Sequence, residues 1–233
     1  MLILGIDTAT AQVGCAIGGH EGVLGSVHSS RGKRHAETLT PAIEFICRQS
    51  RVELRELGAV AVDLGPGLFT GLRVGIASAK ALAQALRVPV IGVSSLDLLA
   101  WPVRFSNRLI ATALDARRGE LFYAFYRQSP GGVQRVSPPT VGSPDDLASE
   151  LLAAGEEVLL VGDGGIRYED VFAGITRVDR ADHGLAYPSA ASLVQLAHAR
   201  AMREQFVPPH EVQAIYLRKP DAAEPAWAQR EPA

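Results

Sequence analysis

Residues 59–86 read AVAVDLGPGLFTGLRVGIASAKALAQAL, and the predicted fold is organised around them. Its first part, 59–64, is an apolar run rich in β-branched residues, which predicts a strand buried on both faces. Gly65-Pro66-Gly67 ends that strand. Residues 69–86 are mostly good helix formers with little polarity, so they predict a long helix.

Small residues recur at every fourth position of this predicted helix, at Gly71, Gly75, Ala79 and Ala83. One stripe of the helix therefore has almost no side chain, and another helix or a ligand could approach it closely. An interior glycine costs about 1 kcal/mol relative to alanine, which favours a role for close approach. Packing of the helix on its own sheet is the alternative, and the spacing leaves both open.

The glycines of this stretch do not form either of two common nucleotide-binding motifs. A Walker loop has four residues between its glycines, whereas five separate Gly65 from Gly71. The dinucleotide fingerprint needs a third glycine where Thr70 stands, and Pro66 lacks an amide donor. A loop before a helix N-terminus can still hold an anion, although capping the helix is its more common use.

The composition is that of an ordinary globular protein. The chain has 233 residues, of which 47% are hydrophobic and 21% charged, and its formal net charge is −2. This length suits one large domain or two small ones. The charge predicts no broad cationic surface, so any RNA contact is expected to be local or to pass through a partner.

The cysteines and the N-terminus indicate the compartment. Cys15 and Cys47 are the only cysteines and stand in apolar surroundings, which favours two buried thiols in a reducing cytosol over a disulfide. No signal peptide is recognised at the N-terminus, because no basic segment precedes the apolar run and Asp7 interrupts it. No apolar stretch reaches the ~20 residues of a membrane span. We therefore predict a cytoplasmic protein without a membrane partner.

Two similar series of elements are predicted along the chain. In each, a strand ends in an aspartate, Asp7 or Asp115, and a short polar turn leads to a return strand and a third strand. These strands are predicted at 2–7, 13–17 and 22–29, and again at 108–115, 119–127 and 131–136. Helices are predicted at 35–49, 69–86, 95–101, 144–154, 166–172 and 189–205, and further strands at 59–64, 89–93 and 158–162.

The repeat predicts an α/β fold of two similar lobes, residues 1–103 and 104–219, followed by a disordered tail at 220–233. This is the plan of the actin-like ATPase and sugar kinase (ribonuclease H-like) folds, in which a nucleotide cleft separates the lobes. The aspartate turns face the cleft in that plan. Asp7, Thr8, Asp115 and Arg118 are therefore predicted to face it, with Asp7 close to Asp115. Two unrelated α/β modules are the alternative.

Few residues carry recognisable chemistry. No two of the six histidines stand at helical i, i+3 or i, i+4 spacing, and there is no G-x-S-x-G sequence, so neither a metal site nor a catalytic residue is predicted. The second turn carries Arg117 and Arg118 where a phosphate cradle would need glycines and hydroxyls, although arginines could meet an anion from a partner or substrate. Residues 162–165, GDGG, fit an adenosine-side loop and a plain strand-to-helix turn equally well.

Four segments together resemble the bacterial TsaB family, also called YeaZ. They are LGIDTAT at 4–10, RHAETLTPAI at 34–43, DLGPGLFTGLRVGIASAKALA at 63–83 and AIYLR at 214–218. The third is long and specific, and the others support it. Together they cover most of the first predicted lobe and the end of the second.

This resemblance implies a non-catalytic scaffold subunit. TsaB binds its paralogue TsaD, which transfers a threonylcarbamoyl group to adenosine 37 of tRNAs that read codons beginning with A, and the ATPase TsaE joins them. The resemblance implies no cofactor of its own, a nucleotide at most at the partner interface, and tRNA contact through the complex. The competing hypotheses are an independent actin-like ATPase or small-molecule kinase and a glycoprotease-like metallopeptidase.

The resemblance also implies a partner surface on the helices of the first lobe, used both for TsaD and for a homodimer. Its predicted residues are Leu39, Ile43 and Cys47 on the first helix and Phe69, Leu72, Gly75, Ile76 and Ala79 on the second. If the small-residue stripe faces a partner, Gly75→Leu is expected to leave the fold largely intact and to abolish association. If the stripe faces the chain's own sheet, the same substitution is expected to lower the melting temperature.

Overall fold

The computed structural model describes residues 1–30 and 34–218. Its first sheet has five strands in the order β3-β2-β1-β4-β5. These are β1 (Leu2–Asp7), β2 (Val13–Gly19), β3 (Gly22–Ser29), β4 (Leu57–Asp63) and β5 (Val90–Val93). Strand β1 is antiparallel to β2 and parallel to β4, and β4 is parallel to β5. The predicted tail at 220–233 lies outside the described residues.

The second sheet repeats this plan. It contains β6 (Leu109–Arg117), β7 (Glu120–Ser129), β8 (Gly132–Arg135), β9 (Thr140–Gly142), β10 (Val158–Val161) and β11 (Val178–Arg180), in the order β11-β10-β6-β7-β8 with β9 on β7. Strand β6 is antiparallel to β7 and parallel to β10, and β10 is parallel to β11. Each strand of the first sheet thus has a counterpart in the second, which confirms the predicted α/β fold of two similar lobes.

Helices cover both faces of the first sheet. Helices α1 (His35–Ser50) and α2 (Phe69–Leu86) pack on one face, against residues such as Leu4 and Val60. Helices α3 (Ser95–Ala100) and α7 (Ala190–Ala201) pack on the other face, against Ile3, Ala59 and their neighbours. Because alternate residues of a strand point to opposite faces of the sheet, the apolar run of β4 is buried on both faces, as predicted.

The helices of the second half are shorter and differ in part from the prediction. Helix α4 spans Pro144–Ala154 as predicted, while the predicted helix 166–172 is two short helices, α5 (Asp163–Arg167) and α6 (Glu169–Phe172). Neither β9 nor β11 was predicted from the sequence. Both strands have three residues, which is too few to show an alternating pattern. They are recognised as strands only by their pairing with neighbouring strands.

Helices α3 and α7 connect the two lobes. Helix α3 places Leu98 in the core of the first sheet and Leu96 and Leu99 in the core of the second. Helix α7 follows the second sheet in sequence, yet it packs on the first, where Val194 lies over Gly5 and Gly18. We propose that the boundary between the strands of the two lobes lies near 103/104 and that α7 belongs to the first lobe.

Candidate functional site

Two aspartates end adjacent parallel strands of the first sheet, Asp7 on β1 and Asp63 on β4. The Oδ1 atom of Asp7 accepts a hydrogen bond from the backbone N–H of Ala9 at 3.1 Å. The Oδ1 atom of Asp63 accepts from the N–H of Gly65 at 2.8 Å and from the hydroxyl of Ser95 at 2.7 Å. Both aspartates are buried, so half of each carboxyl is fixed by the surrounding chain.

The remaining oxygens, Oδ2 of Asp7 and Oδ2 of Asp63, are buried and have no hydrogen-bond partner among the residues that the structure describes. The two carboxyls interact with each other. Burial, and then the negative charge of Asp63, raises the pKa of Asp7 well above its ordinary value. Burial also raises the pKa of Asp63 to about 7. A carboxyl with a raised pKa stays protonated to a higher pH than an exposed one, so this site favours the neutral acid form of these two groups.

The polar residues of the first turn bind the chain itself. The hydroxyl of Thr8 donates to the carbonyl of Gly71 on α2 at 2.8 Å, and Nε2 of His35 on α1 donates to the carbonyl of Thr10 at 2.8 Å. Asp7 and Thr8 are 0% and 2% exposed. The prediction that these two residues face an open cleft is therefore corrected: both are buried, and the hydrogen bonds of Thr8 and Thr10 join the end of β1 to α2 and α1.

The second turn has its own acidic pair with arginine partners. The N–H of Asp115 donates to Oδ1 of Asp163 at 2.9 Å. Asp115 forms ion pairs with Arg117 at 3.0 Å and with Arg167 at 3.5 Å. Burial raises the pKa of Asp163 to about 6. Arg118 is exposed at the tip of the turn, where it and Arg117 both have positive φ angles.

The two turns meet at a narrow crevice. It is lined by residues 9–11, Gly67, Leu68, Leu114, Asp115, Arg117 and Asp163, and its volume is about 10 Å³. A space of this size holds about one water molecule, so the crevice is closed to a nucleotide in this conformation. Asp115 lines it, whereas Asp7 and Arg118 do not. The carboxyl that pairs with Asp7 is that of Asp63.

Residues 162–165 form a tight packing turn. A Cβ atom on Gly162, whose φ is +112°, would lie 2.1 Å from the carbonyl oxygen of Ala113, and one on Gly164 would also touch Ala113. The glycines thus allow the chain to pass close to β6, while Asp163 binds the N–H of Asp115. This geometry favours the plain strand-to-helix turn over an adenosine-side loop.

The small-residue stripe of α2 faces the interior of the chain. A Cβ atom on Gly71 would lie 2.1 Å from the carbonyl oxygen of Thr8, and one on Gly75 would lie 2.3 Å from its Oγ1. Ala79 and Ala83 are 0% exposed. The close approach that the glycines indicate is therefore to the end of β1, and the predicted placement of Gly75 and Ala79 on a partner surface is corrected.

Most of the other predicted interface residues are also buried. Leu39, Ile43 and Ile76 belong to the core on this face of the first sheet, and Cys47 is half-buried beside it. Leu72 is also buried. The apolar residues at helical spacing therefore mark the face of each helix that packs on the sheet, not a partner surface. Phe69 alone among the eight is exposed, with 39% of its surface accessible.

The outward face of α2 carries a different set of residues, which sequence reasoning missed. Ala77, Ala81 and Ala85 are exposed at i, i+4 spacing, in line with exposed Arg73. The guanidinium of Arg73 lies 3.9 Å from the ring centroid of Phe69, whose ring is 5.5 Å from that of Tyr216. The signal was present in the sequence as a second series of small residues, two positions after the glycine stripe.

The four segments quoted for the family resemblance adjoin one another. Besides the Thr8 and His35 hydrogen bonds, the N–H of Leu68 donates to the carbonyl of Ala9 at 2.7 Å, and the N–H of Ile215 donates to the carbonyl of Leu64 at 2.7 Å. The late segment 214–218 thus reaches the turn before α2. The motif residues share a structural role at the base of this helix.

The cysteines are free thiols, as predicted, and burial raises the pKa of Cys15 to about 12. Among residues 1–30 and 34–218, no group of three His, Cys, Asp or Glu side chains is arranged to hold a metal ion. No helix in the same part of the chain has the length and apolar character needed to cross a membrane.

Comparison with known proteins gives consistent matches. The family model described as TsaD, tRNA N6-adenosine threonylcarbamoyltransferase, matches residues 22–226. An uncharacterized protein of Mycobacterium leprae is 37% identical over 99% of this chain, which spans only 58% of that relative's length. The tRNA threonylcarbamoyladenosine biosynthesis protein TsaB of Escherichia coli is 29% identical, with 94% of this chain and 95% of that protein covered.

Solved structures give the same result. YeaZ from Pseudomonas aeruginosa superposes with a TM-score of 0.79 at 26% identity, covering 93% of this chain and 99% of that chain. The ROK hexokinase of Thermus thermophilus has a TM-score of 0.50 at 14% identity, covering 88% of this chain and 100% of that chain. The second likeness concerns the fold alone, and it agrees with the actin-like and sugar kinase plan of two lobes.

Proposed function

Because the chain belongs to the TsaB/YeaZ family, we propose that its role in tRNA threonylcarbamoyladenosine biosynthesis is that of a non-catalytic subunit. In this proposal the chain binds and supports TsaD, which modifies adenosine 37 of tRNAs that read codons beginning with A. TsaE and tRNA are met through that complex in the cytoplasm. The chain has no cofactor of its own, and a nucleotide can be held at the interface with TsaD.

The outward face of α2 supports this proposal. Its exposed alanines, Ala77, Ala81 and Ala85, leave room for a partner helix at the ~8 Å end of helix packing distances. Phe69, Arg73 and Tyr216 stand at one end of this face, and aromatic residues and arginine are enriched among the residues that dominate binding energy. Phe45, 44% exposed on the neighbouring helix α1, adds apolar surface to the same helical layer. We propose that TsaD and a second copy of the chain compete for this face.

The test is a bulky substitution on this face. Ala77→Tyr places a ring where the partner backbone is proposed to lie, and such overpacking costs about 1–3 kcal/mol. An interaction of micromolar strength would then weaken by about tenfold to a hundredfold. Titration calorimetry of the purified chain with its TsaD partner measures the loss, and sedimentation measures self-association.

The matched control is Ala153→Tyr, which makes the same change at an exposed alanine near the C-terminus of helix α4. Both variants are expected to melt like the parent chain, because neither alanine is buried. Equal TsaD affinity for Ala77→Tyr, Ala153→Tyr and the parent chain would place the partner surface elsewhere. Loss of binding by the control as well would point to a general effect of the added ring.

A further inference from the structure

A cavity of about 540 Å³ lies on a part of the molecule that the proposed partner surface does not use. Its walls are the β7–β8 hairpin of the second sheet, helix α7, and the segment around Asp97 and Trp101 that joins the lobes. Ligand pockets in proteins span roughly 300–1,000 Å³ and occur preferentially at domain interfaces. Size and position are therefore those of a small-molecule site.

The charge of the lining is strongly positive. Arg135, Arg200 and Arg203 line the cavity together with one acidic residue, Asp97, which gives a net charge of +2. Arg203 is exposed and forms no ion pair with any of the residues that the structure describes. A dianion would neutralise this lining, whereas a single carboxylate would not.

Two of the arginines are held in fixed orientations. Asp97 accepts hydrogen bonds from Arg135 and, at 3.2 Å, from Arg200, and the hydroxyl of Tyr126 donates to it at 2.9 Å. Nε of Arg135 donates to the Tyr126 oxygen at 3.2 Å, and Arg200 also binds the carbonyl of Gly92. A guanidinium has five N–H donors, so both arginines keep donors beyond those used here. Pre-oriented donors lower the cost of binding a ligand.

We propose that this interlobe cavity binds a phosphomonoester, with the phosphate on Arg203, Arg200 and Arg135. A phosphomonoester carries about −1.5 to −2 charges at neutral pH, which matches the net charge of the lining. The volume exceeds that of a bare phosphate, so the ligand has an organic part. Trp101, Val133, Leu196 and Ala199 supply apolar surface for that part.

The sequence offers a direct reporter for this site. The chain has two tryptophans, Trp101 and Trp227. The Trp227→Phe variant leaves Trp101, in the cavity wall, as the sole tryptophan. AMP serves as the phosphomonoester probe, and adenosine, which lacks the phosphate, is its matched control. AMP is expected to change the Trp101 fluorescence in a saturable manner, and adenosine is not.

Arg203 is the residue to vary, because it is exposed and outside the Asp97 network. In the Trp227→Phe background, Arg203→Glu is expected to weaken AMP binding by about tenfold or more, the effect of losing one charge-assisted hydrogen bond. Arg203→Lys keeps the charge and is expected to retain most of the affinity. Arg48→Glu, at an exposed position of α1 away from the cavity, is expected to bind AMP like the parent.

Three results would overturn the proposal: no saturable response to AMP, an equal response to adenosine, or unchanged AMP affinity in Arg203→Glu. The measurement uses the chain without TsaD, so its outcome is independent of the proposed partner surface.

Discussion

At the ends of β1 and β4, two carboxyls, those of Asp7 and Asp63, are buried and have raised pKa values. Burial raises the pKa of Asp63 from its ordinary value of 3.8 to about 7. Between about pH 4 and pH 7 the unfolded chain releases the Asp63 proton, while the native chain retains it. The stabilisation is therefore fully present below about pH 4 and is lost as the pH rises through about 7.

We expect Asp63→Asn to reduce this pH dependence. The asparagine oxygen can accept from Gly65 and Ser95 as the carboxyl does, and its amide can donate to an ionised Asp7. The free energy of unfolding of the parent should fall by up to roughly 4 kcal/mol from about pH 4 to above 7, and that of the variant should fall less. Urea denaturation at several pH values measures it. Exposed Asp145→Asn is the control, and parallel curves for Asp63→Asn and the parent would contradict the raised pKa of Asp63.

The position of helix α2 was predicted well from the sequence, but the direction in which its glycine stripe faces was not. Its observed bounds, Phe69–Leu86, are those predicted from helix formers after the glycine turn. The sequence could not predict whether the glycine stripe of α2 faces the sheet. A partner helix and the end of a β-strand can both pack closely against glycines, because glycine has no side chain. The short distances from Gly71 and Gly75 to Thr8 show that the stripe packs on the end of β1. These contacts join residues far apart in sequence, such as Thr8 and Gly71, whose hydrogen bond spans 63 positions.

This placement reverses the expected effect of Gly75→Leu. The new Cβ atom would lie 2.3 Å from Oγ1 of Thr8, so the helix must shift or the Thr8–Gly71 hydrogen bond must break. Overpacking of this kind costs about 1–3 kcal/mol or more. Thermal melting should show a marked loss for Gly75→Leu and little change for Ala81→Leu, at an exposed position of the same helix. A parent-like melting temperature for Gly75→Leu would show that the stripe is open to a partner.

At the scale of the whole molecule, the repeat in the sequence predicted two lobes of equal plan, and the strand orders agree. The crossing of α7 to the first sheet could not be predicted, since its alanine-rich sequence fits many apolar surfaces. What selects this surface is the pair of glycines, Gly5 and Gly18, beneath Val194, on strands far away in sequence. The candidate site was predicted only in part for a similar reason. Asp115 lines the crevice, but the partner of Asp7 is brought there by the adjacent strand.

The same crossing makes the lobes dependent on each other. A fragment of residues 1–103 lacks α7, so Ile3, Ala16, Ala59 and Ile91 would lose their cover. Leu96 and Leu99 of α3 would lose the second sheet, against which they are buried. We therefore expect this fragment alone to lack a cooperative urea transition, because exposing these side chains costs roughly 25 cal/mol per Å² of apolar surface.

Mixing the fragment with a second one, residues 104–218, provides the control. The two together restore every contact of α3 and α7, so co-refolding should give a complex with a single cooperative transition detected by circular dichroism and by Trp101 fluorescence alike. Coincident transitions in both signals are the mark of one folding unit. A fragment 1–103 that unfolds cooperatively by itself, with a midpoint close to that of the full chain, would instead show that its sheet is stable without α7 and that the lobes are independent domains.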